Sequence, residues 1–325
     1  MKAKLGAAAP GLAVLAVVAI AATLLSTRFG MSSMLFALVL GMFLNFLAEE
    51  GKCRAGIQFA STLVLRTGVA LLGLRITLDQ VVALGWGNVA LVAGALAATL
   101  LAGVLLGRLF GLGTAFGTLT GGAVAICGAS AALAIASILP KHPNAERDAS
   151  FTVIGVTALS TVAMIVYPIL ADVFGLDHHA AGVFFGGTIH DVAQVVGAGY
   201  SVSPEAGDTA TIVKLFRVAM LLPVCFVIGI ALHAGGGKAA RSAPILPWFA
   251  VVFAALVVMN SAGWLPVPVV STGSEISRWC LVIAMAAIGM KTSLRALAEM
   301  GIRPVALVVA ETLFLAALVM TFLAR

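Results

Sequence analysis

The sequence of residues 180–200 is AAGVFFGGTIHDVAQVVGAGY, a stretch long enough to cross a lipid bilayer. About 20 mainly apolar residues span the hydrocarbon core as a helix. The middle of this stretch nevertheless carries a glycine pair, Gly186 and Gly187, followed by the ionisable pair His190 and Asp191. Such residues are costly in hydrocarbon, and they are tolerated where the backbone is buried in protein or lines a cavity. The stretch therefore predicts a membrane helix that is interrupted inside the protein.

The composition of the whole chain is that of a membrane protein. Of its 325 residues, 62% are hydrophobic and 10% are charged. Soluble domains contain about 45–50% apolar and about 25% charged residues. This difference excludes a soluble enzyme, a nucleic-acid-binding domain and a disordered chain. The net charge of +6 is explained by Lys and Arg residues that flank apolar spans, as membrane topology produces them.

The sequence carries no pattern of an enzyme or a metal site. Its four cysteines lie in apolar sequence without the CxxC spacing of a zinc site or the pattern of a disulfide framework. The GxSxG, HExxH and P-loop motifs are absent. We therefore expect no catalytic residues, no cofactor, no metal and no bound nucleic acid.

Apolar segments of about the length of a bilayer span follow one another along the chain. There are eleven, at about 10–27, 31–48, 56–76, 86–110, 117–139, 150–173, 180–200, 208–232, 245–262, 273–290 and 303–323. The connections between them are short, which leaves no room for a soluble domain. We predict an all-α polytopic membrane protein with about 9–11 membrane segments and a single transmembrane domain over residues 1–325.

An internal repeat relates two distant parts of the chain. Residues 70–85, ALLGLRITLDQVVALG, match residues 286–301, AAIGMKTSLRALAEMG, at an offset of 216. Asn45 and Asn260 fall near equivalent ends of the spans that come before these stretches. The halves related by this repeat are predicted to cover about 31–173 and 180–323.

A second interrupted segment has the sequence TGGAVAICGAS at residues 120–130. A weaker repeat pairs its Gly121 and Gly122 with Gly186 and Gly187. Glycine-interrupted segments in corresponding positions of two repeats are typical of the binding site of a transporter.

The two interrupted segments have two interpretations. If both are re-entrant hairpins, Lys141 and Arg147 lie on the cytoplasmic side, the positive-inside bias grows stronger, and the repeats become inverted. If both cross the membrane fully, their glycines serve close helix packing, as we expect for Gly103 and Gly107.

Charged side chains inside membrane spans are candidates for function because they are expensive there. Lys214 and Arg217 stand three residues apart and therefore share one helical face. Two cations on one face predict an anion site, with arginine offering a bidentate fork for oxyanions. Alternatively, Lys214 extends towards the membrane surface, or either cation neutralises Asp191.

The pair of His190 and Asp191 is predicted to carry a coupling proton or Na⁺, since histidine changes charge near physiological pH. The alternative is a hydrogen-bond network that fixes the broken helix. Thr188 and Gln194 lie nearby and offer neutral hydrogen bonds to a substrate.

The other interrupted segment offers a matching set of groups. Cys127, Gly128 and Ser130 supply backbone amides at the end of a half-helix, together with one hydroxyl, and such helix ends attract anions. Gly122, in the preceding turn, completes the predicted substrate-binding set. Arg66 and Glu311 are expected to be structural partners inside the helix bundle.

Four stretches of the sequence are similar to those of a known family. They are AICGAS at 125–130, GTIHDVAQVVGAG at 187–199, DTATIVKLFRV at 208–218 and GLRITL at 73–78. Together they resemble the YeiH-type bacterial membrane-protein family, which is described as a sulfate exporter family. The resemblance covers nearly the whole chain.

This resemblance implies a secondary active transporter in a bacterial inner membrane. It would export or exchange a small anion such as sulfate or a sulfonate by alternating access, coupled to a proton or Na⁺. The expected partners are that anion, the coupling ion, the lipid bilayer and a second copy of the chain in a homodimer. Alternatives are a passive anion channel and a membrane sensor or scaffold that transports nothing.

Overall fold

The computed structural model describes residues 2–30, 32–49, 51–140, 142–234, 247–292 and 301–324. Within these ranges the regular structure is helical, without any strand. The prediction of an all-α polytopic membrane protein is confirmed. Lys141 and residues 293–300 of the second repeat copy lie outside the described residues.

The described residues of the first half of the chain form ten helices and one π-helical turn. They are α1 (Lys2–Phe29), α2 (Ser33–Phe43), α3 (Phe46–Glu49), α4 (Arg54–Phe59), the π turn (Ala60–Val64), α5 (Leu65–Leu72), α6 (Leu78–Ala83), α7 (Gly85–Leu109), α8 (Thr114–Ala125), α9 (Ala129–Ile138) and α10 (Ala145–Val173). The second half continues with α11 (His178–Thr188), α12 (Val192–Val202), α13 (Pro204–Ala219), α14 (Leu221–Ala234), α15 (Trp248–Ser261), α16 (Val267–Lys291) and α17 (Ile302–Leu323).

Seven stretches of helix in the described ranges are long and apolar enough to cross a membrane. They are Ala8–Phe29, Arg54–Leu72, Gly85–Leu109, Ala145–Val173, Pro204–Ala231, Val267–Lys291 and Ile302–Leu323. Their outer faces expose large apolar side chains, for example Leu24, Leu101 and Ile169. Extended apolar surface of this kind marks contact with a membrane or another protein.

The chain divides into two compact units, each built from separated stretches. Unit 1 comprises Met1–Ala83, Val196–Asp208 and Pro247–Ser293, and unit 2 comprises Leu84–Val195, Thr209–Leu246 and Leu294–Arg325. The units are interleaved in sequence and do not coincide with the two predicted halves. A single transmembrane domain with repeat-related halves stays a prediction.

Unit 1 contains two contacts that link corresponding parts of the sequence repeat. The side-chain amide of Asn45 donates to the carbonyl of Thr292 at 3.2 Å, and that of Asn260 donates to the carbonyl of Ile76 at 3.3 Å. The two acceptors are 216 residues apart, as the repeat requires, and the asparagines are 215 apart, near equivalent ends of their spans. Each asparagine therefore binds the backbone just beyond a helix of the other copy. The opposite orientation of the copies in a membrane stays a prediction.

Unit 2 brings α7 and α8 together through glycines. A Cβ atom added to Gly103 would lie 2.6 Å from both the Gly117 carbonyl oxygen and the Gly121 Cα. One added to Gly107 would lie 2.8 Å from the Gly117 Cα. The predicted role of Gly103 and Gly107 in close packing agrees with these contacts.

Both segments that the sequence marks as unusual are interrupted. Helix α8 ends at Ala125, and α9 begins after Gly128, whose φ of +62° is readily reached only by glycine. A Cβ atom on Gly122 would collide with the Ile135 side chain, so α8 and α9 lie side by side. Helix α11 ends at Thr188, and the extended residue Ile189 begins the break before α12. A re-entrant path through a membrane stays a prediction.

Candidate functional site

One buried ammonium group joins the two helix interruptions. Lys214 of α13 is 0% exposed. Its Nζ donates to the carbonyl oxygen of Ile126 at 2.7 Å and to that of Ile189 at 2.9 Å. One acceptor belongs to the break after α8 and the other to the break after α11. A single charge therefore holds both breaks together inside unit 2.

Arg217, one turn further along α13, binds the same two helix ends. Its Nε donates to Ala125 at 2.9 Å and its Nη2 to Val124 at 2.7 Å. Its Nη1 donates to Gly186 at 3.0 Å and to Ile189 at 3.2 Å. All four acceptors are backbone carbonyl oxygens. The guanidinium, which is 1% exposed, thus uses its planar fork on backbone rather than on a carboxylate.

These contacts follow from the electrostatics of broken helices. The last carbonyl groups of a helix lack intrahelical partners and carry partial negative charge. Two such helix ends in an apolar interior need donors, and a buried cation needs acceptors. The cations of α13 and the C-terminal ends of α8 and α11 satisfy one another.

The opposite ends of the interruptions are the N-terminal ends of the short helices α9 and α12. The first intrahelical bond after the first break runs from the Ala132 amide to the Gly128 carbonyl, at 2.9 Å. The corresponding bond after the second break runs from the Val195 amide to the Asp191 carbonyl, at 3.1 Å. The amides of the intervening residues, at the starts of α9 and α12, lie where helices attract anions.

His190 links the second break to α17. Its Nδ1 lies 3.1 Å from the Thr188 carbonyl oxygen, and its Nε2 lies 2.9 Å from the Thr312 hydroxyl. Since a carbonyl only accepts, Nδ1 carries a hydrogen. The ring is 0% exposed. The next residue, Asp191, donates its amide to the Ser160 hydroxyl of α10 at 3.0 Å.

Gln194 leaves a polar atom unsatisfied at the start of α12. Its Nε2 lies 3.5 Å from the Thr161 hydroxyl, and within the described residues its Oε1 has no hydrogen-bond partner. The residue is 0% exposed. A buried, unsatisfied amide beside a helix start is costly unless a further group binds there.

The predicted site residues fall into two groups. The structure gathers the backbone of the first break and the side chains of Thr188, His190, Gln194, Lys214 and Arg217 within unit 2. Ser130 is exposed in α9, and Gly122 packs against α9. Their roles in substrate binding, and those of His190 and Asp191 in coupling, stay predictions.

Comparison with known proteins assigns the chain to a family. A family model described as Conserved hypothetical protein 698 matches residues 10–308. A UPF0324 membrane protein of Rhizobium meliloti (strain 1021) is 54% identical over 96% of this chain and 91% of its own length. The chain belongs to the UPF0324 family of membrane proteins. The resemblance to the YeiH-type family is thereby confirmed.

Further UPF0324 relatives are similar over nearly their whole length. The UPF0324 membrane protein of Chlorobaculum tepidum is 54% identical over 96% of this chain and 88% of its own. The UPF0324 membrane protein TauZ of Paracoccus denitrificans is 52% identical over 96% of this chain and 94% of its own. No solved structure matches the chain.

Several residues around the interruptions of this UPF0324 protein could not be identified as site residues from the sequence. Ser160, Thr161 and Thr312 contact predicted site residues, yet each is a hydroxyl residue within a long apolar span. Hydroxyl residues inside membrane helices commonly bond to their own backbone, so they carry little signal. Among the described residues, no group of three or more metal-ligating side chains occurs.

Proposed function

We propose that this UPF0324 protein is a secondary active transporter for a small anion of the sulfate or sulfonate class. It would work by alternating access in a bacterial inner membrane. The observation that carries the proposal is the position of Lys214 and Arg217, which lie fully buried where two interrupted helices meet. Interrupted helices with charged partners are the construction that transporters use for a binding site at the membrane midplane.

The charge balance at the interruptions favours an anion. Lys214 and Arg217 contribute two positive charges, and Asp191 contributes one negative charge beside them in the second break. The amide ends of α9 and α12 add partial positive charge. An ammonium group has three N–H donors, and carbonyls of the described residues accept two of those of Lys214. A tetrahedral oxyanion has enough acceptor oxygens to use the third donor together with the helix amides.

Burial favours a transporter over a channel. Lys214, His190 and Gln194 are each 0% exposed, as expected of a binding site that is closed on both sides. A conducting pore would instead need polar groups along a continuous path. Among the described residues, the two buried cations, Lys214 and Arg217, both lie at the interruptions.

Flux measurements on purified protein in liposomes test this function. We expect external sulfate or a small sulfonate to exchange with the same anion inside, with saturation and without net current. Flux that follows the membrane potential without exchange would support the passive channel. The absence of flux for sulfate, sulfonates, thiosulfate, carboxylates and bicarbonate would support the sensor or scaffold.

A matched pair of variants ties the flux to the site. Lys214→Gln removes the charge but keeps a donor for one carbonyl, and we expect it to abolish saturable exchange. Lys291→Gln removes a lysine whose Nζ lies 2.8 Å from Gln58 in an exposed position, and we expect exchange at the wild-type rate. Equal exchange in the two variants would place the anion elsewhere.

A further inference from the structure

Glu311 is a fully buried carboxyl group without a cation. It lies near the middle of α17, is 0% exposed and has its Oε1 2.8 Å from the Thr120 hydroxyl of α8. Its Oε2 has no hydrogen-bond partner among the described residues. An ionised carboxylate in such a place carries a large desolvation penalty that no ion pair offsets.

The groups around Glu311 offer no compensating charge. Helix α17 packs against α7, α8, α10 and α11. Described charged or titratable side chains of α17 itself, of these helices and of the two breaks are Arg108, Cys127, Glu146, Arg147, Asp148, Tyr167, Asp172, His178, His179, His190, Asp191 and Arg303. None of them forms a hydrogen bond or an ion pair with Glu311.

The hydroxyl of Thr120 has more acceptors than it can serve. Its Oγ1 lies 3.1 Å from the Phe116 carbonyl oxygen of its own helix and 2.8 Å from Glu311 Oε1. The single hydroxyl hydrogen can point to one of them at a time. If it points to Phe116, Glu311 must supply the hydrogen between the two side chains. A protonated Glu311 therefore satisfies this contact, while an ionised one requires Thr120 to turn.

We propose that Glu311 binds a proton in this closed state and that its release is coupled to movement of α8 against α17. When the site opens to one aqueous side and the proton leaves to that side, the carboxyl of Glu311 becomes a carboxylate. The Thr120 hydroxyl then turns from Phe116 to Oε1. Because α8 ends at the carbonyls that Lys214 and Arg217 hold, a change at Thr120 reaches the anion site. The coupling role rests on the proposed transport function.

A second hydroxyl, that of Thr99, lies near Glu311 and could donate a hydrogen bond to the ionised carboxylate. Thr99 of α7 is 0% exposed, and within the described residues its Oγ1 has no partner. It lies one turn before Gly103, where an added Cβ atom would be 2.9 Å from Glu311 Oε1. Residues four apart share a helix face. A small shift of α7 would allow Thr99 to donate to the carboxylate.

The neighbouring residue of α17 makes a parallel contact. Thr312 lies 2.7 Å from the Val308 carbonyl oxygen and 2.9 Å from His190 Nε2. Glu311 and Thr312 thus connect α17 to α8 and to the second break. A movement of α17 that follows proton release would act on both interrupted segments.

Infrared difference spectra of purified protein between low and high pH test proton binding without any need for transport. We expect a carbonyl band of a buried protonated carboxyl that disappears in Glu311→Gln. Thr120→Val should shift the band without removing it, since only the hydrogen bond is lost. Asp208→Asn, which alters another buried carboxyl, is the matched control and should retain the band.

Several spectroscopic results would overturn the proposal. They are the absence of the band in wild-type protein at every pH, its persistence in Glu311→Gln, and an unshifted band in Thr120→Val. Flux then tests coupling: a pH gradient should drive net movement of the anion across the membrane of wild-type liposomes and have no effect with Glu311→Gln. Gradient-driven flux that persists in this variant would overturn the coupling role. If wild-type protein moves no anion, the transport function fails, and the infrared result alone decides the proton site.

Discussion

The ammonium nitrogen of Lys214 lies 2.7 Å from the carbonyl oxygen of Ile126, at the end of a helix that stops inside the protein. The same nitrogen binds Ile189 at the other interruption. Because a helix end in an apolar interior cannot turn to water, its carbonyls must find donors within the chain. Lys214 is therefore both a structural and an electrostatic element of the site.

Replacing Lys214 with methionine should destabilise the protein. The side chain keeps nearly the same length but leaves the Ile126 carbonyl without its charged donor and the Ile189 carbonyl with Arg217 alone. Each hydrogen bond to a charged group contributes about 1.5–3 kcal/mol. We expect a clear fall in the melting temperature of detergent-solubilised protein. Lys291→Met at an exposed position should change it little. Equal melting temperatures of the two variants would contradict the capping role.

Arg217→Lys should behave as a disruptive change although the charge is kept. Lysine cannot reproduce a planar fork that reaches four carbonyl oxygens on two helices. We expect loss of at least about 2 kcal/mol of unfolding free energy, because at least one buried carbonyl on each helix loses a charged donor. Unfolding in a denaturing detergent gives the measurement. Wild-type stability of this variant would show that the fork is dispensable.

Gly128→Ala tests the backbone of the first break. Its φ of +62° disfavours any side chain, while the added Cβ would meet its nearest neighbour, His190, only at 3.5 Å. The loss should therefore reflect backbone strain alone, about 1–3 kcal/mol, because φ of +62° with ψ of −123° is sparsely populated by residues other than glycine. Gly94→Ala is the matched control: Gly94 is helical with nothing within 4 Å of an added Cβ, so that variant should be neutral or slightly stabilised. A neutral Gly128→Ala would contradict the observed turn.

The packing of α7 on α8 predicts a penalty for Gly103→Ala. The new methyl group would lie 2.6 Å from backbone atoms of Gly117 and Gly121, so the helices must separate. Overpacking of this kind costs about 1–3 kcal/mol. A melting curve of the variant against Gly94→Ala measures it. Unchanged stability would mean that the two helices are not in direct contact.

The two asparagine contacts of the repeat predict that alanine substitutions at Asn45 and Asn260 lower the unfolding free energy by different amounts. Asn45 donates to Met290 at 2.7 Å and to Thr292 at 3.2 Å, whereas the side-chain amide of Asn260 donates, among the described residues, to Ile76 only. With about 1 kcal/mol for each hydrogen bond, Asn45→Ala should lower the unfolding free energy more than Asn260→Ala. The reverse order would argue against this assignment of the contacts.

The sequence predicts the membrane class and the positions of the interruptions because those depend on local residue types. Glycine pairs and ionisable groups in the middle of apolar segments can be recognised in the sequence without knowing which residues they contact. The family resemblance adds nothing to that physical signal, and both point to the same stretches.

The hydrogen-bond partners of Lys214 and Arg217 could not be predicted from the sequence. Lys214 and Arg217 suggested a free anion site, yet six of their contacts go to backbone carbonyls. Carbonyl partners have no sequence signature, since every residue has one. The pairing of Thr312 with His190 joins residues 122 apart in sequence, and it depends on how α17 packs in unit 2.

We expect a small oxyanion to bind where Lys214 joins the two interruptions, and thermal stability measured against sulfate concentration tests this claim most directly. A ligand that binds only the folded protein raises its melting temperature by mass action. We predict a saturable rise with sulfate or a small sulfonate for wild-type protein and for Lys291→Gln, and none for Lys214→Gln. The same rise at the same concentrations in Lys214→Gln would contradict the claim.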